Sequence, residues 1–115
     1  MEEGQVVLCG ASTYEQKYYF NPQFSALPQA IQEELKVTCV VFTSQISCVF
    51  TMEFDEGGNL DFVVRPNEDF AFDEIGSALK IKELQRTKRD LWEELELYYK
   101  VFFLGQKIEE IETEQ

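Results

Sequence analysis

Histidine is absent from the sequence. Without an imidazole, the chain cannot form Ser–His or Cys–His nucleophilic pairs, His-Glu-x-x-His zinc sites or an imidazole general base. Most familiar hydrolase chemistry is therefore excluded. Phosphate-cradling and dinucleotide-binding fingerprints are missing as well, so we expect no catalytic residues and no cofactor.

Basic residues are scarce. Ten Lys and Arg stand against 22 Asp and Glu, and the net charge is −12. This charge repels phosphate backbones and anionic lipid headgroups, so nucleic acid is not an expected partner. The longest apolar stretch, from about Val37 to Phe54, is interrupted by Thr, Ser, Gln and Glu. It falls short of the apolar run that a transmembrane helix needs, so we also expect no membrane partner.

Cysteine is limited to Cys9, Cys39 and Cys48, which form neither an even set nor a Cys-x-x-Cys pair. A secretory signal pattern does not precede them. Free cysteine is among the most buried residue types, and none of the three has a basic neighbour in sequence that would favour a thiolate. The pattern predicts a reduced, cytoplasmic protein in which the three thiols are small core side chains.

The length of 115 residues matches one compact domain, so we predict a single domain over residues 1–115. Apolar residues make up 44% of the chain, ten of them Phe, which is enough for a core. The acidic residues 106–115, with Ile108 and Ile111 at helical spacing among glutamates, are expected to fray.

The first half of the chain predicts a hairpin followed by a helix. Residues 6–9 form a short apolar run closed by Gly10, and residues 14–20 are rich in aromatics and end at Asn21-Pro22. A helical stripe then runs from Leu27 to Phe42. Its last residues, 37–42, are β-branched enough to begin a strand early, and propensity alone does not decide that boundary.

The strongest pattern lies in the middle of the chain, where residues 46–54 and 60–64 alternate between apolar and other side chains. The turn between them contains Gly57, Gly58 and Asn59, which tolerate the positive φ of a tight hairpin. We predict a β-hairpin with one buried face, ended by Arg65-Pro66-Asn67.

A long helical pattern starts at Asp73, a suitable N-cap, and ends at Gly105. Such a helix would be roughly 48 Å long, so either Gly76-Ser77 breaks its first turn or part of it projects. Its second half is apolar around most of the circumference, and such a helix must be buried on most sides. The candidate self-association interface consists of Leu91, Trp92, Leu95, Tyr98, Tyr99, Phe102 and Phe103.

These elements, in the order ββαββα, predict an α+β fold. We expect an antiparallel sheet of about four strands with two helices on one face, the second being the long C-terminal helix.

The charge is unevenly distributed along the chain. Residues 1–78 hold 3 basic and 13 acidic side chains, whereas residues 79–104 hold 6 and 5. We therefore predict a non-catalytic interaction module that forms a homodimer through its long helix, with its basic segment on the acidic body of a second copy. The acidic body also suits a basic protein partner, as in an inhibitor or a DNA mimic.

A divalent-metal enzyme that uses carboxylates is the other open reading. Its ligands would be Asp69, Asp73 and Glu74, although capping of a helix start explains the last two equally well. The acidic turn from Asp55 to Asp61 lacks the Gly and Glu positions of an EF-hand calcium loop, so we interpret it as a plain hairpin turn.

Several segments together resemble a family of small acidic proteins of unknown function from anaerobic Gram-positive bacteria. They are residues 14–21, 27–35, 53–60 and 73–82, and the most specific is Lys88-Arg89-Asp90-Leu91 with Leu95-Glu96, Tyr98-Tyr99 and Phe102-Phe103-Leu104-Gly105. The resemblance covers about residues 5–105. It implies no activity, substrate or site.

Overall fold

The computed structural model describes residues 4–66 and 72–107, which form an α+β fold. Four strands and three helices follow one another along the chain. They are β1 (Val6–Ser12), β2 (Lys17–Phe20), α1 (Gln29–Gln45), β3 (Val49–Phe54), β4 (Leu60–Arg65), α2 (Glu74–Thr87) and α3 (Arg89–Phe102), with a 3₁₀ turn at Pro22–Phe24 before α1.

The four strands form one antiparallel sheet in the order β2-β1-β3-β4. Both predicted hairpins are therefore confirmed, and they join through β1 and β3. In the β3–β4 turn, Gly58 has a φ of +86°, a conformation that glycine adopts without steric cost. A Cβ there would also lie 2.7 Å from Cγ of Lys100, so the glycine lets α3 approach the turn.

One face of the sheet carries the core. Cys9 is paired with Met52, and Ala11 with Phe50, so their side chains alternate onto the same face. The apolar residues of the predicted alternation, Ile46, Cys48, Phe50, Met52 and Phe54, are all buried. The strand itself begins only at Val49, because Ile46 still caps the end of α1.

Helices α1 and α3 cover this face. From α1, Phe42 stacks on Phe50 with ring centroids 4.2 Å apart. From α3, Tyr99 stacks on Phe54 at 4.3 Å, and Trp92 meets the edge of Phe62 at 5.0 Å. The prediction of two helices packed on one face holds for these two.

The predicted bounds of the first helix are wrong at both ends. The helix runs from Gln29 to Gln45 instead of from Leu27 to Phe42. Its β-branched segment stays helical because Cys39 and Phe42 are buried against the sheet. The hydroxyl groups of Thr38 and Thr43 donate to the carbonyls of Glu34 and Cys39, one turn back. Packing thus outweighs local β propensity.

The prediction of a single long C-terminal helix is also wrong. The segment forms two helices, and the order of strands and helices along the chain is ββαββαα. Helix α2 continues through Gly76-Ser77, and the break falls at Lys88, whose backbone leaves the helical region with φ −122° and ψ 31°. The indole N–H of Trp92 donates to the carbonyl of Leu84 at 2.8 Å across this break. Within the described ranges, no helix has the length and apolar character needed to cross a membrane.

Candidate self-association surface

Three of the seven predicted interface residues belong to the core of their own chain. Trp92, Leu95 and Tyr99 are spaced three and four residues apart along α3, so they lie on its inner side. All three are buried against the sheet. They are not available to a partner, and the candidate surface is narrower than the sequence suggested.

The end of α3 keeps a group of apolar side chains at the surface. Phe102 is 72% exposed, and its ring lies 4.9 Å from that of Tyr98. Phe103, 6.3 Å from Tyr98, and Leu104 are each more than one-third exposed. Tyr98 is partly buried and packs against the core, as does Leu91, the remaining predicted interface residue. We call Tyr98, Phe102, Phe103 and Leu104 the terminal patch.

The terminal patch rests on a well-anchored helix end. The ring of Phe103 stacks on Phe24 at 4.7 Å, and the carboxylate of Glu96 accepts a 2.8 Å hydrogen bond from the backbone N–H of Leu60. Burial, and then the nearby charge of Asp55, raises the pKa of Tyr99. The patch is therefore presented by a fixed surface and not by a loose chain end.

Helix α2 also has an exposed surface. The sequence pattern alone did not distinguish this surface from the side of α2 that packs on the fold. Ile75 is 75% exposed and Leu79 is 62% exposed. Lys82 and Arg86 follow at helical spacing and are also exposed, so one face is apolar in its first half and cationic in its second. We call Ile75, Leu79, Lys82 and Arg86 the α2 outer face. Leu84 does not belong to this face, because it packs inward against the core.

A groove of about 260 Å³ separates α2 from α1. It is lined by Val37 and Val41 from α1 and by Lys80 and Leu84 from α2. At one end Lys88 bonds the carboxylate of Glu34 at 2.7 Å, and this contact fixes α2 alongside α1. Both charged groups are partly exposed, so the ion pair contributes little to the free energy of folding, although it aligns α2 with α1.

The proposed metal ligands are not brought together as a site in the described residues. Oδ1 of Asp73 accepts the backbone N–H of Gly76 at 2.8 Å, which makes Asp73 the N-cap of α2 as the sequence predicted. Glu74 lies in the first turn, and Asp69 lies outside the described residues. Among residues 4–66 and 72–107, no group of three Asp, Glu or Cys side chains is placed to hold a metal ion.

The carboxylate of Asp55 is engaged by its own turn. Oδ1 accepts the backbone N–H groups of Gly57 and Asn59, both at 2.9 Å. Burial alone would raise the pKa of Asp55, but the hydrogen bonds from Asn59, Gly57 and Gly58 outweigh it and lower the pKa below its ordinary value. These contacts match the prediction of a plain hairpin turn.

The three thiols are buried and free, as predicted. The sulfur atoms of Cys9 and Cys39 lie 3.7 Å apart between β1 and α1. Contact with Cys9, and then burial, raises the pKa of Cys39, and burial raises the pKa of Cys48 to about 11. Burial and a raised pKa both disfavour the thiolate form that a nucleophilic cysteine needs.

One buried carboxylate was not anticipated. Glu53 lies in β3 on the face opposite to the core, yet its side chain is 1% exposed. Oε2 accepts hydrogen bonds from Thr51 at 2.7 Å and from Arg65 at 3.2 Å, while Oε1 has no hydrogen-bond partner within the described part of the chain. Strand alternation predicts the face of this residue but not its burial.

Comparison with known proteins gives a family and no activity. A family model described as a family of unknown function, DUF6145, matches residues 5–107. Neither the curated proteins nor the solved structures gave a match. The resemblance to a family of unknown function is therefore confirmed, and since the match covers nearly the whole chain, the protein belongs to the DUF6145 family.

Proposed function

We propose that the chain is a non-catalytic, cytoplasmic protein-interaction module that forms a homodimer through the terminal patch of α3. The observation that carries this proposal is the exposure of Phe102, 72%, next to three further apolar side chains. An exposed aromatic residue flanked by partly exposed apolar side chains on a fixed helix end is typical of a protein–protein contact. The absence of histidine and the protonated buried thiols give no support to catalysis.

The patch favours a second copy over an unrelated partner because the chain divides its charge. The region that contains α2 and α3 is nearly neutral, whereas residues 1–78 carry most of the negative charge. Two copies can therefore meet at their C-terminal helices while residues 1–78, which hold most of the negative charge, stay apart.

Multi-angle light scattering at micromolar concentration tests the dimer. The wild-type protein is expected at about twice the monomer mass of 13.4 kDa. Phe102→Glu places a charge at the patch, which costs several kcal/mol in an apolar interface, and shifts the mass to that of the monomer. Because Phe102 is largely exposed, the substitution leaves the thermal unfolding midpoint of the monomer nearly unchanged.

The matched control is Val37→Glu. Val37 is also exposed, but it lies on α1, away from the terminal patch, so this variant is expected to remain dimeric. A wild-type protein that is monomeric at 100 μM contradicts the proposal. A dimer that Val37→Glu dissociates and Phe102→Glu leaves intact contradicts the assignment to α3.

A basic protein partner is the second candidate function, and the acidity of residues 1–78 is the observation that favours it. Complementary charge raises encounter rates and makes them depend on salt. A complex captured from native cytosol that survives unchanged in 1 M NaCl argues against a partner chosen by charge. A DNA mimic additionally requires that the protein and DNA compete for the captured partner.

A further inference from the structure

The terminal patch is small for a stable dimer. A standard interface buries about 800 Å² on each partner, whereas a single aromatic side chain contributes at most about 250 Å². Phe103 and Tyr98 already share much of their surface with Phe24 and Phe102. A dimer formed at this patch therefore needs a second area of contact.

The α2 outer face offers such an area. Ile75 and Leu79 are two of the most exposed large apolar side chains in the described residues, and Lys82 and Arg86 continue the same face. Of the residues of α2, only Ser77 is buried. This face suits an occupant that is apolar at one end and acidic at the other.

The sequence after α3 has that chemistry. Residues 108–115 contain Ile108 and Ile111, then Glu112 and Glu114, with Glu109 and Glu110 between the two isoleucines and no basic residue. Along α2, Ile75 and Arg86 are separated by about 16 Å, at 1.5 Å per residue. In sequence, apolar residues come first and carboxylates follow, in the same order as the apolar and cationic halves of the α2 outer face.

The α2 outer face of the same chain is out of reach for these isoleucines. The N–H of Gln106 bonds the carbonyl of Lys100, so the described chain ends beside the end of α3, where Phe103 stacks on Phe24. Phe24 precedes the start of α1, whereas Lys80 lines the groove with Gln45 at the far end of α1.

The 17 residues of α1 separate these two places by about 25 Å, and Ile75 and Leu79 precede Lys80 along α2. Four residues beyond Lys107 reach at most about 14 Å, which places Ile111 short of Ile75 and Leu79 of its own chain. A second copy that contacts the terminal patch is not subject to this limit.

We propose that residues 108–115 of one copy bind the α2 outer face of a second copy, with Ile108 and Ile111 against Ile75 and Leu79 and the glutamates against Lys82 and Arg86. The contact forms twice in a two-fold symmetric dimer. This inference rests on the proposed self-association and names the surfaces that complete it.

A charge exchange tests the contact. The first variant, Lys82→Glu/Arg86→Glu, has an acidic α2 face, and the second, with Glu109, Glu110, Glu112 and Glu114 changed to Lys, has a basic tail. In each homodimer the tail and the α2 face carry like charges, so dimerisation in 50 mM NaCl is expected to weaken at least about tenfold. Mixed together, the two variants restore opposite charges at both contacts, so native mass spectrometry is expected to show the heterodimer in excess over both homodimers.

The matched control is Lys17→Glu/Lys36→Glu, which makes the same change in net charge on the other side of α1. It is expected to dimerise like the wild-type protein. Equal weakening by this control shows net repulsion and overturns the inference, as does a mixture without excess heterodimer. If Phe102→Glu dissociates the dimer while the exchange has no effect, only the tail contact fails. A monomeric wild-type protein removes both proposals.

Discussion

Helices α2 and α3 are equally long, 14 residues each, and follow one another with a single residue between them, yet they are held in different ways. In α3, Trp92, Leu95 and Tyr99 are buried against the sheet. In α2, only the small side chain of Ser77 is buried. The comparison teaches that α3 is stabilised mainly by fully buried side chains, whereas α2 meets the core through the partly buried Ile81 and Leu84 and is otherwise held by contacts at its ends.

Three polar contacts hold α2 in addition to the packing of Ile81 and Leu84. Asp73 caps its first turn, Lys88 bonds Glu34 just after its last, and the indole of Trp92 holds the carbonyl of Leu84. Each is worth about 1 kcal/mol or less. The outer face of α2 contributes little to the stability of the monomer, so it is free to bind a partner.

The largest expected effect separates the two helices by the same substitution. Leu95→Ala removes a side chain that is 1% exposed in α3, and we expect a loss of about 2–5 kcal/mol in the free energy of unfolding. Leu79→Ala makes the identical change in α2, where the side chain is 62% exposed, and stays within about 0.5 kcal/mol of the wild-type protein. Urea denaturation, at a concentration where all three proteins are monomeric, measures both.

The two variants, Leu95→Ala and Leu79→Ala, test directly whether α2 and α3 are stabilised differently. Similar losses for the two variants would mean that α2 is as much a part of the core as α3. In that case Leu79 could not be part of a docking surface, and the proposed tail contact would fail with it.

The sheet and its faces were predictable from the sequence because strand alternation reports burial directly. Phe50, Met52 and Phe54 alternate with Thr51 and Glu53, and the first three form the core. The break at Lys88 was not predictable in this way. The sequence around it has no Gly or Pro, and the distortion is associated with a contact between Trp92 and Leu84 that exists only in the folded chain.

The candidate self-association surface on α3 was only partly predictable, because its exposure also depends on contacts that exist only in the folded chain. Aromatic residues cover most of the circumference of α3, so the pattern does not say which of them meet their own sheet and which are left over. The break turns α3 so that Tyr99 points to Phe54 while Phe102 stays outside. The outer face of α2 was not anticipated, because the sequence does not show that Leu84 packs inward while Ile75 and Leu79 stay exposed.

A smaller effect is expected where the two helices meet. Trp92→Phe removes the hydrogen bond to the carbonyl of Leu84 and leaves a void beside Phe62, which together cost about 1–3 kcal/mol. The amides of α2 are expected to exchange with solvent faster than those of α3, because α2 loses one of its contacts with the rest of the fold. Hydrogen–deuterium exchange with mass spectrometry resolves the two helices. An equal change in both would show that they open as one unit.

The smallest effect concerns α2 alone. Asp73→Ala removes the side chain that caps the N–H of Gly76, which costs about 1 kcal/mol, or about a fivefold increase in the exchange of the first α2 amides. Asp73→Asn keeps an acceptor at the same position and is expected to restore most of the protection. The amides of α3 are expected to remain as in the wild-type protein in both variants. If Asp73→Ala instead accelerated exchange at Leu95 and Tyr99, the stability of α3 would depend on α2, and the division between a helix held by the core and a helix held by its ends would be wrong.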